Sequence, residues 1–189
     1  RIIGEMSAQA AVKETILGVQ ASKAKWIFNL GIAAGIDPAI RLGDVVVADS
    51  VFGYTYRMKL DGASPSGADL LAATKAGQYF AVSTRARRCI EDNINHESDR
   101  YQRWRESCAV DMSRCLSHKD RQFLDAKNLI GATCTLRTGL IASGPFMLNS
   151  VESRQFLRTT NRLTQAGEME AEGVARAAEE LELRDRVVI

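Results

Sequence analysis

In the stretch "GEMEAEGVARAAEE", residues 167–180, a carboxylate stands where an apolar side chain is expected. At helical advance Val174, Ala177, Ala178 and Leu181 form one apolar stripe, and Glu170 lies on it. Glu168, Glu172, Glu179, Glu180 and Glu182 fall on other faces, where Glu172, Arg176 and Glu180 can support one another as i, i+4 pairs. Two roles are open to Glu170. With Gly167 as the N-cap, Glu170 is the N3 acid, serving the backbone donors and the dipole of the first turn. The same field would keep a partly buried carboxylate ionised, leaving two acceptor oxygens for a pair of neighbouring hydroxyls such as a cis-diol.

Two further segments combine tight turns with suitable side chains. In "LGIAAGID", Gly31, Ala33, Ala34 and Gly35 leave the end of a strand almost bare, so a ligand could approach the backbone closely. A packing turn explains the same residues. No Lys-Ser or Lys-Thr follows at phosphate-loop spacing. In "IASGPFMLN", the strand-ending Ser143-Gly144 is followed by Phe146, Met147 and Leu148. An aromatic, a thioether and an aliphatic group there could form a flat slot for a planar ring, or could be ordinary core. Ser143 is outside any G-x-S-x-G turn, which argues against an acyl-transfer nucleophile.

These segments need elements to hold them. The pattern predicts a helix early in the chain, carrying Ala10, Ala11, Val12, Ile16, Leu17 and Val19. It then predicts an apolar strand from Trp26 to Leu30, a second from Val45 to Ala48, and a loop over residues 59–66. "LLAATKAGQYFAV" and "RYQRWRESCAVDMSRCL" read as helices, "ATCTLRTGLIASG" as a strand, "PFMLNSVESRQFLRTT" as loop and helix, and "RVVI" as a last strand. Helices alternating with fully apolar strands predict an α/β domain with a covered sheet.

The 189 residues, 46 % hydrophobic and 25 % charged, are enough for one sizeable core. A net charge of +2, with acids interrupting every basic run, gives no electrostatic ground for a nucleic-acid or membrane partner. A small molecule or another protein is the expected partner. Cys89, Cys108, Cys115 and Cys134 lack CxxC spacing and only His96 and His118 accompany them, so neither a structural zinc site nor another cofactor is expected. Reduced thiols and a cytoplasmic location follow as the simpler expectation. Arg1 is not an initiator and "RVVI" stops within a strand pattern, so the sequence is expected to be one domain, 1–189, cut at both ends.

Taken in order, "IFNLGIAAGIDPAIRLGDVVVAD", "GLIASG" and "EMEAEGVA" resemble the purine nucleoside phosphorylase and methylthioadenosine/S-adenosylhomocysteine nucleosidase superfamily, with "GEMSAQAAV" resembling the helix start before them. The resemblance implies a three-layer α/β/α sandwich with a central mixed, partly barrel-like sheet, and a homodimer. It implies that Glu170 binds the ribose 2' and 3' hydroxyls and that Met169 packs on the sugar. Ala33 and Ala34 would line the space near the anomeric carbon, and Phe146, Met147 and Leu148 would contact the base. The implied reaction cleaves an N-ribosidic bond through an oxocarbenium-like state. By the same resemblance the leaving-group acid falls beyond Ile189 and the water-positioning acid before Arg1, so no proton-transfer residue is assigned. Phosphorylases of the family commonly place an Arg before the Gly-rich turn and a hydroxyl within it. Here Phe28-Asn29-Leu30 precede Gly31 and Ile32 follows it, which favours hydrolysis over phosphorolysis. The rivals are a phosphate-dependent phosphorylase and a nucleotide-depleting or sensing domain of a larger defence or signalling protein.

Overall fold

Strand β3 (Val45–Gly53) is the spine of the molecule. In this computed structural model, which describes residues 7–54, 77–145 and 151–189, it pairs in parallel with β5 (Leu136–Ser143) and antiparallel with β4 (Gln78–Ala81). β5 pairs in parallel with β6 (Thr164–Glu168), and β6 pairs antiparallel with the short β2 (Ala34–Gly35). The result is a five-stranded mixed sheet in the order β2-β6-β5-β3-β4. A separate parallel pair joins β1 (Ile27–Phe28) to β7 (Val187–Val188).

Both faces of the sheet are apolar, as a covered sheet requires. Val51 and Ile141 point into one core with Ala48, Phe80 and Ala166. Phe52, Leu140 and Ala142 point into the other, with Ile36, Tyr54 and Leu157. The first core is closed by α1 (Ala8–Ser22) and α6 (Ala171–Glu180), and the second by α5 (Val151–Thr160). Helices α2 (Thr84–Asn95), α3 (Asp99–Cys115) and α4 (His118–Ala126) fill the chain between β4 and β5. Each of these three, like α1, begins at a serine whose hydroxyl accepts a first-turn amide: Ser83, Ser98, Ser117 and Ser7. No helix among the described residues is long and apolar enough to cross a membrane.

The end of the sheet away from the site is tied by Asp44. Its side chain, 2 % exposed, accepts from the amides of Arg41 (2.9 Å) and Thr135 (2.8 Å) and faces Arg137 Nε at 3.7 Å. Gly43 turns the chain into this bond with φ +87°, a conformation that costs glycine little and other residues much. The motif "GDVVVAD" is therefore a register lock, starting β3 level with β5.

Several predicted elements shift. The Trp26–Leu30 strand shrinks to Ile27–Phe28, the two residues in register with β7, and Asn29 N–H adds one last bond to Val188 C=O at 2.9 Å. The Val45–Ala48 strand runs on to Gly53, since β5 continues beside it past a register shift between Ala48 and Ser50. Residues 78–81, expected within a helix, pair with β3 instead; residues 70–76 of that expected helix lie outside the described residues. The sheet is open, with β2 and β4 as its edges, and is not closed into a barrel. Two backbone bonds join the small sheet to the large one: Ala48 N–H, at the register shift in β3, donates to Ile189 C=O at 2.7 Å, and Ser83 N–H, just past β4, donates to Val187 C=O at 3.0 Å.

Helix α6 lies against α1 through its smallest residues. Ala171, Ala175 and Ala178 are fully buried, as is Ala11 of α1. A Cβ on Gly173 would overlap the carbonyl oxygen of Ala8 and come within 2.8 Å of Ala11 Cβ. Because the obstacle is backbone, Gly173→Ala is expected to lower stability by about 1–3 kcal/mol despite its better helix propensity. Urea denaturation checks this, and an unchanged midpoint would contradict the close crossing.

Candidate functional site

The carboxyl ends of three parallel strands lie level: Gly53 of β3 is in register with Ser143 of β5, which is in register with Glu168 of β6. Backbone bonds carry the alignment one residue further, from Tyr54 N–H to Ser143 C=O (3.2 Å) and from Gly144 N–H to Glu168 C=O (3.1 Å). In open α/β sheets ligands bind outside such ends. Small residues are required here by what fills the space. A side chain at Gly53 would meet the Glu172 carboxyl at 2.8 Å, and one at Gly144 would overlap the Tyr54 ring. On the other side of β6, Ala34 faces Gly167 across the β2 pair.

From this floor the chain passes directly from β6 into α6, and the passage carries three acids. Glu168 Oε2 accepts from the amides of Glu170 (2.7 Å) and Ala171 (2.8 Å). Glu172 N–H donates to Ser143 Oγ at 2.9 Å, both residues being buried. Thus the first donors of α6 are taken by side chains from β6 and β5. Glu170 is the N-cap, yet its side chain makes no capping bond, and its Oε1, like Glu168 Oε1, is buried without a hydrogen-bond partner. Such an atom is costly unless something else satisfies it.

Burial pushes all three carboxyls above their ordinary range. For Glu168, desolvation outweighs the Ser143 hydroxyl and the amides of Glu170 and Ala171, and the charge of Glu170 adds to the rise. For Glu170, desolvation outweighs the Met169 backbone donor. For Glu172, desolvation leads, Arg176 pulls down, and Glu168 pushes up. Full ionisation of the cluster is therefore expensive, and a cationic or hydroxyl-rich ligand would relieve it.

Of the residues singled out from sequence, the structure brings Ala34, Met169 and Glu170 to the two strands that meet at β2 and β6, with Ala33 exposed just before β2. Phe146, Met147 and Leu148 lie outside the described residues. Three readings are corrected. Gly167 is within β6 and is not the N-cap, and Glu170 is the N-cap rather than the N3 acid, because pairing with β5 and β2 holds the chain extended to Glu168. Capping is performed by Glu168 instead. Glu168 and Glu172, expected on helix faces away from the apolar stripe, turn inward; Glu172 is 5 % exposed, against Gly53. Sequence reasoning also passed over Ser143 as a structural acceptor. The signal available was a hydroxyl between a fully apolar strand and a glycine, where a buried oxygen needs a donor.

The sequence profile of the phosphorylase superfamily matches residues 3–187. No curated protein sequence matches the chain. Among solved structures, it is similar to the 5'-methylthioadenosine/S-adenosylhomocysteine nucleosidase of Colwellia psychrerythraea in complex with adenine. That match has a TM-score of 0.60 and 19 % identity, covering 97 % of this chain and 59 % of that one. The S-adenosylhomocysteine nucleosidase of Streptococcus pyogenes in complex with 5-methylthiotubericidin matches with a TM-score of 0.62 and 17 % identity, over 97 % and 61 %. A futalosine hydrolase mutant of Helicobacter pylori matches with a TM-score of 0.54 and 16 % identity, over 97 % and 64 %. The chain thus spans about six tenths of the length of the first two of these structures. At such identities the likeness speaks for the fold, a mixed sheet flanked by helices. With the profile covering nearly all of its residues, the chain belongs to the phosphorylase superfamily.

Proposed function

We propose that this chain is a purine nucleosidase domain, residues 1–189, that binds the ribose of an N-riboside and releases the free base to water. The observation that carries the reading is Glu170: an acid at the head of α6, beside the ends of β5 and β6, freed from capping and holding a buried oxygen without a partner. A vicinal diol supplies two donors to one carboxylate, which is the missing complement. The nucleosidases among the similar structures support the same substrate class.

In the proposed mechanism Glu170 fixes the sugar through its 2' and 3' hydroxyls. Met169 packs on the sugar, Ala33 and Ala34 border the anomeric carbon, and Phe146, Met147 and Leu148 contact the base. As the bond to the base lengthens, positive charge develops on the ribose. Three carboxyls crowded into one turn, each disfavoured by burial, gain more from that charge than from the neutral substrate. Proton transfer to the departing base is assigned to none of these residues. Water is preferred to phosphate because the Gly31 turn carries neither an arginine nor a hydroxyl: Phe28, Leu30 and Ile32 are exposed apolar residues, and Asn29 offers only a neutral amide. A homodimer, from the family resemblance, and a cytoplasmic location, from the reduced thiols, are carried with this reading.

Two measurements bear on it. Glu170→Gln is expected to lower kcat/KM for purine ribosides by about 2 kcal/mol, roughly 30-fold, with base release from the unmodified protein independent of phosphate. Unchanged turnover in a folded variant would refute the role of Glu170, and ribose 1-phosphate as product would replace hydrolysis by phosphorolysis. The second is pH. The diol prefers the ionised acid, so affinity is complete above the raised pKa of Glu170 and is lost as pH falls through it, at a higher pH than an ordinary carboxyl would give. Titration of riboside affinity checks this, and the acidic limb assigned to Glu170 should vanish in Glu170→Gln.

A further inference from the structure

We infer that Glu168 is a positioning residue: by taking the amides of Glu170 and Ala171 it releases the Glu170 carboxylate from its own helix and holds it ready for the sugar diol. The ligand in this statement rests on the functional reading above. The geometry stands apart from it.

An uncapped helix start leaves its first amides needing acceptors, and the nearest acid is normally drawn to them. At α6 that acid is Glu170 itself. Three successive amides there are already engaged from outside the helix. Those of Glu170 and Ala171 reach Glu168 Oε2 at 2.7 and 2.8 Å, and that of Glu172 reaches Ser143 Oγ at 2.9 Å. Glu170 accordingly has no capping bond, and its Oε1 is left buried without a partner; Glu168 Oε1 is also buried without one, so what separates the two acids is that Glu168 Oε2 is held by two amides. Glu168 can do this because it is the last residue of β6, paired in register with Ser143, so its Cα is fixed by the sheet. One acid braces the turn and the other, two residues on, is spared for binding.

Glu168→Ala removes the brace, whereas Glu168→Gln keeps a carbonyl oxygen able to accept both amides. Each variant is to be compared with the unmodified protein in three measurements: kcat/KM for adenosine, inhibition constants of adenine and 2',3'-dideoxyadenosine, and amide hydrogen exchange at Glu170 and Ala171. Glu168→Ala should lose amide protection and fall roughly 10- to 100-fold in kcat/KM for adenosine, with inhibition by the two diol-free compounds nearly unchanged. Glu168→Gln should restore most of both. In a Glu170→Gln background, Glu168→Ala should add little, since the group it positions is already altered. Equal losses for all three compounds, failure of Gln to rescue, or fully additive effects would overturn the positioning role and leave Glu168 a structural acid. A different result, unmodified protein in which neither adenosine turnover nor affinity exceeds that of the dideoxy compound, would overturn the functional reading and remove the diol from this inference too.

Discussion

The pair of hydrogen bonds from the amides of Glu170 and Ala171 to the carboxylate of Glu168 decides where strand becomes helix, and the rest of the candidate site depends on that boundary. Were the helix to start two residues earlier, Glu168 would join its first turn and Glu170 would rotate with the helix surface. Sheet pairing prevents this: β6 is held on both sides, by β5 and by β2, as far as Glu168 and Gly167. One carboxyl oxygen accepts from two amides, and it does so in a largely desolvated place.

Anchoring from beneath makes the boundary stiff. Gly173 and the buried alanines of α6 bring α1 into direct contact, with the Ala8 carbonyl where a larger residue would need to sit. Glu172 fills the space over Gly53, and its amide ties α6 to Ser143. A short helix fixed at its first turn by two strands, and along its side by another helix, has little freedom to move its N-cap side chain. Fixed groups of this kind cost no reorganisation when charge develops nearby, which is what electrostatic stabilisation of an oxocarbenium-like state demands.

Much of this was legible in the residues. Valine-rich β3 and apolar β5 announced themselves, and the register of Glu170 marked it as a group out of place. Less legible was β6, whose "TQAGE" has neither β-branched alternation nor an apolar run; it is a strand because two neighbours make it one. For the same reason the acids after it read as a solvated helix. Periodicity reports where a side chain points once the helix has started, and cannot report that Glu168 precedes it or that Gly53 leaves room for Glu172. Residues 78–81 failed similarly, since four residues of mixed character carry no period and only pairing with β3 defines them. The family resemblance agrees with the superfamily profile, but it did not show that Glu168 takes the amides of Glu170 and Ala171.

A crystal structure of the protein bound to an uncleavable purine C-riboside would test the role of Glu170 directly. The Glu170 carboxylate is expected within about 3.2 Å of both ribose hydroxyls, with Glu168 still on the amides of Glu170 and Ala171. A sugar bound away from the head of α6, or Glu170 turned back to cap its own helix, would contradict it.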